Sequence, residues 1–244
     1  MPRDTITAMK IWAISDLHLG FSTGKWMDVF GDHWKNHPDK IAAAWRDLVV
    51  EKDIVLVPGD FSWAMRADEV AIELDWLAAL PGRKVLIKGN HDFWWPSSRK
   101  KLRDILPEGV YAIKKTSLVL DGLPIIGVRA CDFVPRDPEA VEQTAGNLRR
   151  ERREFERSIE SLAEHGPLDR GPIALFHYPP FPLWASESVF TRMAEEASCT
   201  HGLFGHLHTE PEWKRVFQGK KNGVEYRLVS CDALDFCPIL IDEM

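Results

Sequence analysis

Seven polar residues stand at the ends of short apolar segments and together have the side chains of a metal-binding site: Asp16, His18, Asp60, Asn90, His177, His206 and His208. Two pairs among them are separated by a single residue, so on an extended strand both side chains of a pair point to the same side. The set combines two carboxylates, one amide oxygen and four imidazoles. Such mixed nitrogen and oxygen ligands suit Mn, Fe, Co, Ni or Zn, whereas calcium takes only oxygen ligands.

The number of candidate ligands indicates two metal ions. A single tetrahedral ion cannot use all seven groups, but two ions about 3.5–4 Å apart can use them if one carboxylate bridges. A paired site of this kind lowers the pKa of a shared water, so that hydroxide is available near neutral pH. The ligand set therefore predicts metal-assisted hydrolysis and leaves open which bond is hydrolysed.

Short apolar runs precede the candidate ligands and predict the strands that hold them. The runs are rich in β-branched residues and end in loop formers, which is typical of buried strands. They cover residues 10–15, 53–58, 84–88 and 172–176. Helical patterns at residues 38–50 and 67–80 separate the first three runs. This alternation predicts an α/β fold, in which ligands bind at the carboxyl ends of the strands.

The last third of the chain contains shorter runs that predict further strands. We expect strands over residues 213–217, 224–230 and 236–241. Glycines at both ends of segment 219–223 predict a turn, which would pair the first two of these strands as a hairpin.

Residues 137–165 predict one long amphipathic helix. Apolar residues recur on one face, arginine and glutamate crowd the other positions, and Gly146 marks a point where the helix could break. Four arginines cluster on this helix: Arg149, Arg150, Arg152 and Arg153. They could bind a phosphate, but the interleaved glutamates favour ion pairs along the helix surface.

Composition describes an ordinary globular protein of 244 residues. We interpret residues 1–244 as a single domain with a helical insertion at about 137–165. The net charge of −6 argues against nucleic acid as a partner without excluding it, and the oligomeric state stays open. The four cysteines form no CxxC pair, and the apolar run at 11–14 is too short for a signal peptide or a membrane span. We therefore expect a cytoplasmic protein with no membrane partner.

The ordered combination of DxH, GD, GNHD, a lone His and GHxH resembles the calcineurin-like metallophosphoesterase superfamily. These blocks begin at Asp16 and end at His208, so they span most of the chain. The resemblance implies a four-layer αββα sandwich of two mixed β-sheets flanked by helices. It also implies a small phosphoester substrate and two divalent metal ions per chain, for which we prefer Mn or Fe over Zn, Co and Ni.

The ligand pattern of that superfamily divides the seven residues between the two ions. The first ion is held by the residues that match Asp16, His18, Asp60 and His208. The second ion is held by those that match Asp60, Asn90, His177 and His206. Asp60 thus matches the bridging ligand. His91 matches the residue that contacts the phosphate and protonates the leaving group, and Asp92 matches the position that orients this histidine.

Three segments are similar to a small bacterial group of predicted phosphohydrolases: residues 28–34, 59–63 and 89–95. In the second of them, Asp60 is followed by Phe61-Ser62-Trp63, where many members of the superfamily have a polar or acidic residue. The metal ligand itself is retained, so this departure concerns the surroundings of the ligands and the wall of the substrate site.

Aromatic residues follow the metal motifs closely. Trp63, Phe93, Trp94 and Trp95 either stack on a flat group of the substrate or pack beneath the loops. Arg129 and Tyr178 follow strand ends and are candidates for phosphate contact, and the aromatic segment 21–37 is a candidate lid. The remaining histidines lie outside the motifs, where we expect structural or surface roles: His33, His37, His165 and His201.

Three functions are compatible with this set of residues. A metal-dependent phosphodiesterase is slightly preferred, because His91 as an acid helps to expel a poor leaving group. A phosphomonoesterase or a protein phosphatase is the alternative among enzymes. A non-catalytic binding or scaffold protein on the same fold is disfavoured, because all seven ligands and His91 are present.

Overall fold

The computed structural model describes residues 8–133 and 140–244. Eleven strands lie among these residues: β1 Lys10–Ala13, β2 Ile54–Val57, β3 Arg83–Leu86, β4 Val110–Ala112, β5 Leu118–Leu120, β6 Leu123–Val128, β7 Ile173–Phe176, β8 His201–Phe204, β9 Gly219–Lys221, β10 Val224–Leu228 and β11 Ile239–Glu243. Six α-helices lie among them: α1 His37–Leu48, α2 Ala71–Ala78, α3 Arg99–Ile105, α4 Val141–Glu160, α5 Val189–Glu196 and α6 Glu210–Arg215.

The strands form two mixed sheets. The first has the order β11-β1-β2-β3-β4 and the second has the order β5-β6-β7-β8-β10-β9. Strand β11 is antiparallel to β1, and the two edge strands of the second sheet, β5 and β9, are antiparallel to their neighbours. The strands between them are parallel, so their carboxyl ends meet along one edge of each sheet.

Three apolar clusters fill the spaces between the layers. One cluster joins the facing sides of the two sheets and includes Ile54 of the first sheet and Leu203 of the second. Another packs Trp45 of α1 against the outer side of the first sheet. The third packs Phe155 of α4 and Phe190 of α5 against the outer side of the second sheet. The four-layer αββα sandwich expected from the sequence is confirmed.

The four strands predicted before the candidate ligands are confirmed as β1, β2, β3 and β7, with small changes at their ends. The helix expected over 38–50 is α1, and Pro38 occupies its first turn. The helix expected over 67–80 is shorter, because regular α-helical structure in α2 begins only at Ala71.

The hairpin near the carboxyl terminus is real, but one of its expected strands is wrong. Residues 213–217 do not form a strand, because α6 occupies Glu210–Arg215. Thr209 and Glu212 form a capping box, and this helix-start signal outweighs the aromatic and β-branched run that follows it. The hairpin pairs β9 with β10 around Asn222 and Gly223, which both have positive φ, as a tight two-residue turn requires.

The amphipathic helix expected in this part of the chain is α4, which passes through Gly146 without a break and continues as a 3₁₀ helix over Ser161–His165. The first residues of the expected helix, 137–139, lie outside the described part of the chain. On its surface Arg152 pairs with Glu156 one turn later at 2.8 Å, as the interleaved charges predict. Its inner face contacts the second sheet, where Ser158 Oγ accepts a hydrogen bond from the backbone N–H of Gly127.

All four cysteines are free thiols. Within residues 8–133 and 140–244, no helix combines the length and apolar composition that crossing a membrane requires.

Candidate metal centre

The candidate ligands converge where the two sheets present their carboxyl ends. Asp16 and His18 follow β1, Asp60 follows β2, and His206 lies two residues beyond β8. All four have a left-handed backbone, with φ of 58°, 44°, 50° and 72°. This conformation is unfavourable for residues with a Cβ atom and is concentrated at functional sites. The loops therefore hold these side chains in place at some cost in conformational energy.

One group of ligand atoms belongs to Asp16, His18 and His208, which each offer an atom within 4.8 Å of the others. The Nε2 atoms of His18 and His208 lie 3.3 Å apart, and His208 Nε2 lies 3.6 Å from Asp16 Oδ1. Two imidazole nitrogens and a carboxylate oxygen therefore face a common point, as ligands of one cation do.

A second group consists of Asp60, His177 and His206, again with one ligand atom each within 4.8 Å. His177 Nε2 lies 3.4 Å from Asp60 Oδ2 and 2.6 Å from Asn90 Oδ1. Its other ring nitrogen, Nδ1, lies 3.2 Å from the backbone carbonyl oxygen of Pro58. A proton on Nδ1 would be donated to that carbonyl, which leaves the Nε2 lone pair directed at Asp60 and Asn90.

Asp60 belongs to the second group but also lies close to the first. Its Oδ1 accepts a hydrogen bond from the backbone N–H of His91 at 2.7 Å, whereas its buried Oδ2 has no hydrogen-bond partner. This Oδ2 atom is 3.4 Å from His177 Nε2 and 3.7 Å from His18 Nε2. An unpaired buried carboxylate oxygen is costly. The residues therefore fit a cation, and they fit one on each side of Asp60.

Burial keeps most of the imidazoles in the neutral form that metals bind. It lowers the pKa of His18 and His206, and it lowers that of His177 to about 3. Burial, together with the negative charges of Asp16 and Asp92, raises the pKa of Asp60 well above its usual range. A nearby cation reverses that effect on a carboxylate, so the donor set is one that divalent ions stabilise.

His208 differs from the other imidazoles. Burial lowers its pKa, but the neighbouring carboxylates of Asp16 and Asp232 outweigh this and raise the pKa to about 10. For Asp16, burial raises the pKa, while the close approach of His208 and the charges of His177 and His208 bring it below its ordinary value. A divalent ion beside Asp16 would instead favour the neutral form of the His208 ring.

Two glycines of the sequence motifs are required by the close approach of the ligands. A Cβ atom at Gly205 would lie 2.0 Å from Asp16 Oδ2, and one at Gly89 would lie 2.0 Å from Asp60 Oδ1. The carboxylates therefore occupy the space that larger residues would need. This explains why glycine precedes both His206 and Asn90 in the sequence.

Asp232 belongs to the site although its sequence position did not single it out. Both of its carboxylate oxygens lie 3.1 Å from His208 Nδ1, so it fixes the ring with Nε2 turned towards Asp16. Carboxylates in this position orient metal-binding histidines and make them more basic. The available signal was that Asp232 follows the apolar run of β10, just as the other candidate ligands follow their strands.

We expect Asp232→Asn to weaken the affinity for Mn²⁺ by about ten- to a hundredfold, because it replaces the charged partner of the His208 ring with a neutral one. Isothermal titration calorimetry of the metal-free protein measures this affinity. Asp235→Asn, at an exposed position three residues away, is the matched control and should bind Mn²⁺ as wild type does. Equal affinity in Asp232→Asn and wild type would remove Asp232 from the site.

His91 faces the open side of the centre. Its side chain is 37% exposed, and its Nε2 lies 4.0 Å from Asp60 Oδ2. Burial, followed by the charge of His206, lowers its pKa. The ring lies 4.5 Å from that of Trp63, measured between centroids, and Trp63 stacks in turn on His18 at 4.8 Å. Trp63 is half-buried, so it forms part of the wall that a bound molecule meets.

Asp92 has a different contact from the one expected. Its carboxylate accepts hydrogen bonds from the backbone N–H groups of Phe61, Ser62 and Gly89 and from Trp94 Nε1, and none comes from the His91 ring. Burial raises its pKa, while these four donors lower it. The expectation that Asp92 orients His91 is thus corrected: Asp92 ties the loop after β2 to the loop after β3.

The aromatic residues after the second glycine motif separate into two kinds. Phe93 is 54% exposed, whereas Trp94 and Trp95 are only 1% and 6% exposed and pack into the cluster beneath the first sheet. The assignment of Trp94 and Trp95 to the substrate wall is therefore corrected. They hold the loop that carries Asn90 and His91, because the Asp92 carboxylate anchors one indole and the core holds both rings.

The other candidates lie at the second group of ligands. The Tyr178 ring is 4.1 Å from the His206 ring, and Tyr178 is half-buried. The carbonyl oxygen of Arg129 accepts hydrogen bonds from the backbone N–H groups of His177 and Tyr178, and its guanidinium donates to Glu151 at 2.7 Å. Both residues therefore lie beside the centre, as their positions after strands predict.

Segment 21–37 packs against the first group of ligands. Trp34 is buried, and its ring lies 6.4 Å from His18 and 5.8 Å from His208. His37 is also buried, with Nε2 3.0 Å from the carbonyl oxygen of Leu17. His165 and His201 contact the hydroxyls of Ser117 and Thr200. Among the described residues, none of these outlying histidines belongs to a group that could hold a metal.

The sandwich carries two groups of candidate metal ligands at the carboxyl ends of its strands. A sequence model of the calcineurin-like phosphoesterases matches residues 9–210, and the chain belongs to this family.

Curated relatives match part of the chain. The Gene 66 protein of Mycobacterium phage L5 is 35% identical over 88 residues, which are 36% of this chain and 42% of that protein. The Gene 66 protein of Mycobacterium phage D29 is 39% identical over 84 residues, which are 34% and 40% of the two chains. The matches thus span about two fifths of the length of these relatives.

A solved structure with the same fold is that of the phosphopantetheinyl hydrolase PptH from Mycobacterium tuberculosis. It superposes with a TM-score of 0.53 and 18% sequence identity, and the match covers 97% of each chain. At this identity the likeness shows the fold alone.

Proposed function

We propose that this chain is a phosphodiesterase with a dinuclear centre in which Asp60 bridges two divalent ions. The observation that carries the proposal is the position of Asp60 Oδ2, which is buried and has no hydrogen-bond partner. It lies 3.4 Å from His177 Nε2 of its own group and 3.7 Å from His18 Nε2 of the other group. The remaining ligands of the first ion are Asp16, His18 and His208. The remaining ligands of the second ion are Asn90, His177 and His206.

The choice of metal follows from the donor set. Four imidazoles, two carboxylates and one amide oxygen are the mixture that suits first-row transition metals, and we propose Mn or Fe. When bound, the two ions supply a nucleophilic water and neutralise charge on the phosphate oxygens. The buried ligand loops keep the seven donors in place before the substrate arrives, so little reorganisation is needed during the reaction.

His91 is the proposed acid. Its backbone N–H is fixed by Asp60 Oδ1, which places its half-exposed ring at the mouth of the site and its Nε2 4.0 Å from Asp60 Oδ2. The ring holds a proton at Nε2 and transfers it to the leaving oxygen of the substrate. Such a transfer contributes about 10²–10⁴-fold to a rate. Alkoxide leaving groups gain most from it, so the proposed phosphodiesterase can act on alkyl diesters as well as on activated ones.

Hydrolysis of a substrate panel by the metal-reconstituted protein tests this function. The panel contains bis-p-nitrophenyl phosphate, p-nitrophenyl phosphate, cyclic nucleotides and a phosphopeptide, each assayed with Mn, Fe, Co, Ni and Zn. We expect the highest kcat/KM on a diester, with Mn or Fe, and two ions per chain by elemental analysis. Faster turnover of the monoester or the phosphopeptide would replace the phosphodiesterase proposal with a phosphatase. No turnover of any substrate with any metal would contradict it.

A further inference from the structure

A cleft with an excess of positive charge opens beside the candidate metal centre. Its volume is about 410 Å³, and it lies between the ends of β3 and β6 and one side of α4. Five cationic side chains line it: Lys88, Lys114, Lys115, Arg129 and Arg150. Two acidic side chains oppose them, Glu151 and Glu154. We call this space the cationic cleft. Because the whole chain carries a net charge of −6, the positive excess is a local feature.

The cationic cleft adjoins the second group of ligands. Lys88 is separated from Asn90 by one residue, and the carbonyl oxygen of Arg129 accepts the backbone N–H of His177 at 3.2 Å. Asn90 and His177 contact each other at 2.6 Å. A neighbouring space of about 400 Å³ shares Arg129 and Arg150 with the cleft and reaches Tyr178, whose ring contacts that of His206. The cleft therefore lies directly beside the second group of ligands.

The acidic residues neutralise the cations of the cleft only in part. Glu151 Oε1 is shared by Arg129 at 2.7 Å and Arg150 at 3.0 Å, and Lys115 pairs with Glu154 at 3.0 Å. Within residues 8–133 and 140–244, Lys88 forms no ion pair. The same is true of Lys114, whose Nζ donates to the backbone carbonyl of Pro96 and whose pKa is lowered by burial and by the charge of Lys88.

The guanidinium groups also keep unused donors. The Nε atom of Arg129 is buried without a hydrogen-bond partner, and the Arg150 side chain is 52% exposed. The planar guanidinium group of arginine recognises phosphate oxygens through charge-assisted hydrogen bonds. An apolar group in the same place would desolvate the lysines and arginines without compensation. The chemistry of the cleft thus fits an anion with several acceptor oxygens.

We propose that the cationic cleft binds a second phosphate group of the substrate, so that the enzyme prefers phosphodiesters that carry a further phosphate. This inference rests on the proposed phosphodiesterase function and specifies its substrate class. The scissile phosphate lies at the metal centre, and the second phosphate lies beyond Arg129, between Arg150 and Lys114. The cleft is compact, so it suits a small phosphorylated substrate and not an extended polynucleotide.

Matched chromogenic substrates test the proposal. The first pair consists of thymidine 5′-(p-nitrophenyl phosphate) with and without a 3′-phosphate. The second pair consists of thymidine 3′-(p-nitrophenyl phosphate) with and without a 5′-phosphate. We expect the additional phosphate to raise kcat/KM about tenfold or more in at least one of these pairs, since a hydrogen bond to a charged group contributes at that level. The Mn²⁺-loaded full chain is used throughout.

Two variants test whether the effect of the additional phosphate on kcat/KM arises in the cationic cleft. Arg150→Gln and the double variant Arg150→Gln/Lys114→Gln should reduce the ratio of kcat/KM with and without the additional phosphate, and the double variant should bring it close to one. Arg152→Gln is the control, because this arginine lies on the same helix but pairs with Glu156 and does not line the cleft. It should keep the wild-type ratio.

The outcomes separate this proposal from the one on which it rests. If wild type hydrolyses all four substrates with ratios near one, or if both variants retain the wild-type ratio, the second phosphate site is contradicted while the phosphodiesterase function stands. If wild type hydrolyses neither these substrates nor bis-p-nitrophenyl phosphate, the phosphodiesterase proposal fails, and the substrate class inferred from it fails as well.

Discussion

Asp60→Asn is expected to lower phosphodiesterase activity by at least about a thousandfold and to reduce the metal content below two ions per chain. Stabilisation by metal ions contributes several kcal/mol to the transition state, and about 4 kcal/mol corresponds to a factor of a thousand. Asparagine keeps the size of the side chain and can keep the acceptor that holds the His91 backbone N–H. It removes the negative charge between the two groups of ligands. Elemental analysis and kcat/KM on bis-p-nitrophenyl phosphate measure the two effects.

Unfolding measurements distinguish loss of metal from loss of structure. Burial and the charges of Asp16 and Asp92 raise the pKa of Asp60, so the ionised carboxylate costs free energy in the metal-free fold at neutral pH. The neutral asparagine relieves this repulsion. In chelator, Asp60→Asn should therefore have a free energy of unfolding equal to or above that of wild type. With Mn²⁺ added, wild type should gain more stability than the variant.

Asp75→Asn is the matched control for this experiment. Asp75 is exposed on α2, far from any candidate ligand in sequence, and its replacement should change neither the metal content nor the activity. A variant Asp60→Asn that retained two ions per chain and wild-type kcat/KM would contradict the bridging role.

The sequence was sufficient to predict the strands that carry the ligands and the fold that contains them. A buried strand and the polar residue after it are both local features, and the pattern repeats at Asp16, Asp60 and His177. Within the first sheet, parallel strands bring Asp16 and Asp60 together, because their carboxyl termini share one edge of the sheet. His18 and His208 follow strands of different sheets, so their approach to 3.3 Å also requires that the two sheets pack face to face.

Features that depend on long-range packing were not predictable in this way. Nothing local to His208 reveals that Asp232 holds its Nδ1 atom, since the contact spans 24 residues and forms only when β10 lies beside β8. Burial likewise decides the roles of neighbouring tryptophans. Trp63 and Trp94 both follow a ligand motif, yet one is half-buried beside His91 and the other lies in the core.

The strand expected over 213–217 shows how competing local signals are resolved. Trp213, Val216 and Phe217 have the side chains of a strand, but Pro211 and the capping box at Thr209 begin a helix before them. The first turn fixes three residues for one hydrogen bond, whereas each following residue is fixed in exchange for a hydrogen bond of its own. The helix therefore continues to Arg215, and the strand of the hairpin begins later, at Gly219.

Replacement of His91 is expected to slow the hydrolysis of alkyl diesters far more than that of activated diesters. With a glycerophosphodiester, whose leaving group is an alkoxide, His91→Gln should lower kcat about 10²–10⁴-fold. With bis-p-nitrophenyl phosphate the loss should be much smaller, because p-nitrophenolate is a stable anion and leaves without a proton. The comparison of the two losses measures proton donation itself, since glutamine can still form a hydrogen bond with the substrate.

His33→Gln is the control variant for this comparison. It changes an exposed histidine outside the site and should leave both rates unchanged. Equal losses on the two diesters in His91→Gln would mean that His91 positions the substrate and does not protonate the leaving group. The metal content should stay at two ions per chain in this variant, because the contact of His91 with the centre runs through its backbone N–H, which the substitution retains. A selective loss on the alkyl diester with full metal content therefore requires an acid that is separate from the metal ligands, and the half-exposed ring of His91 is the group positioned to act as one.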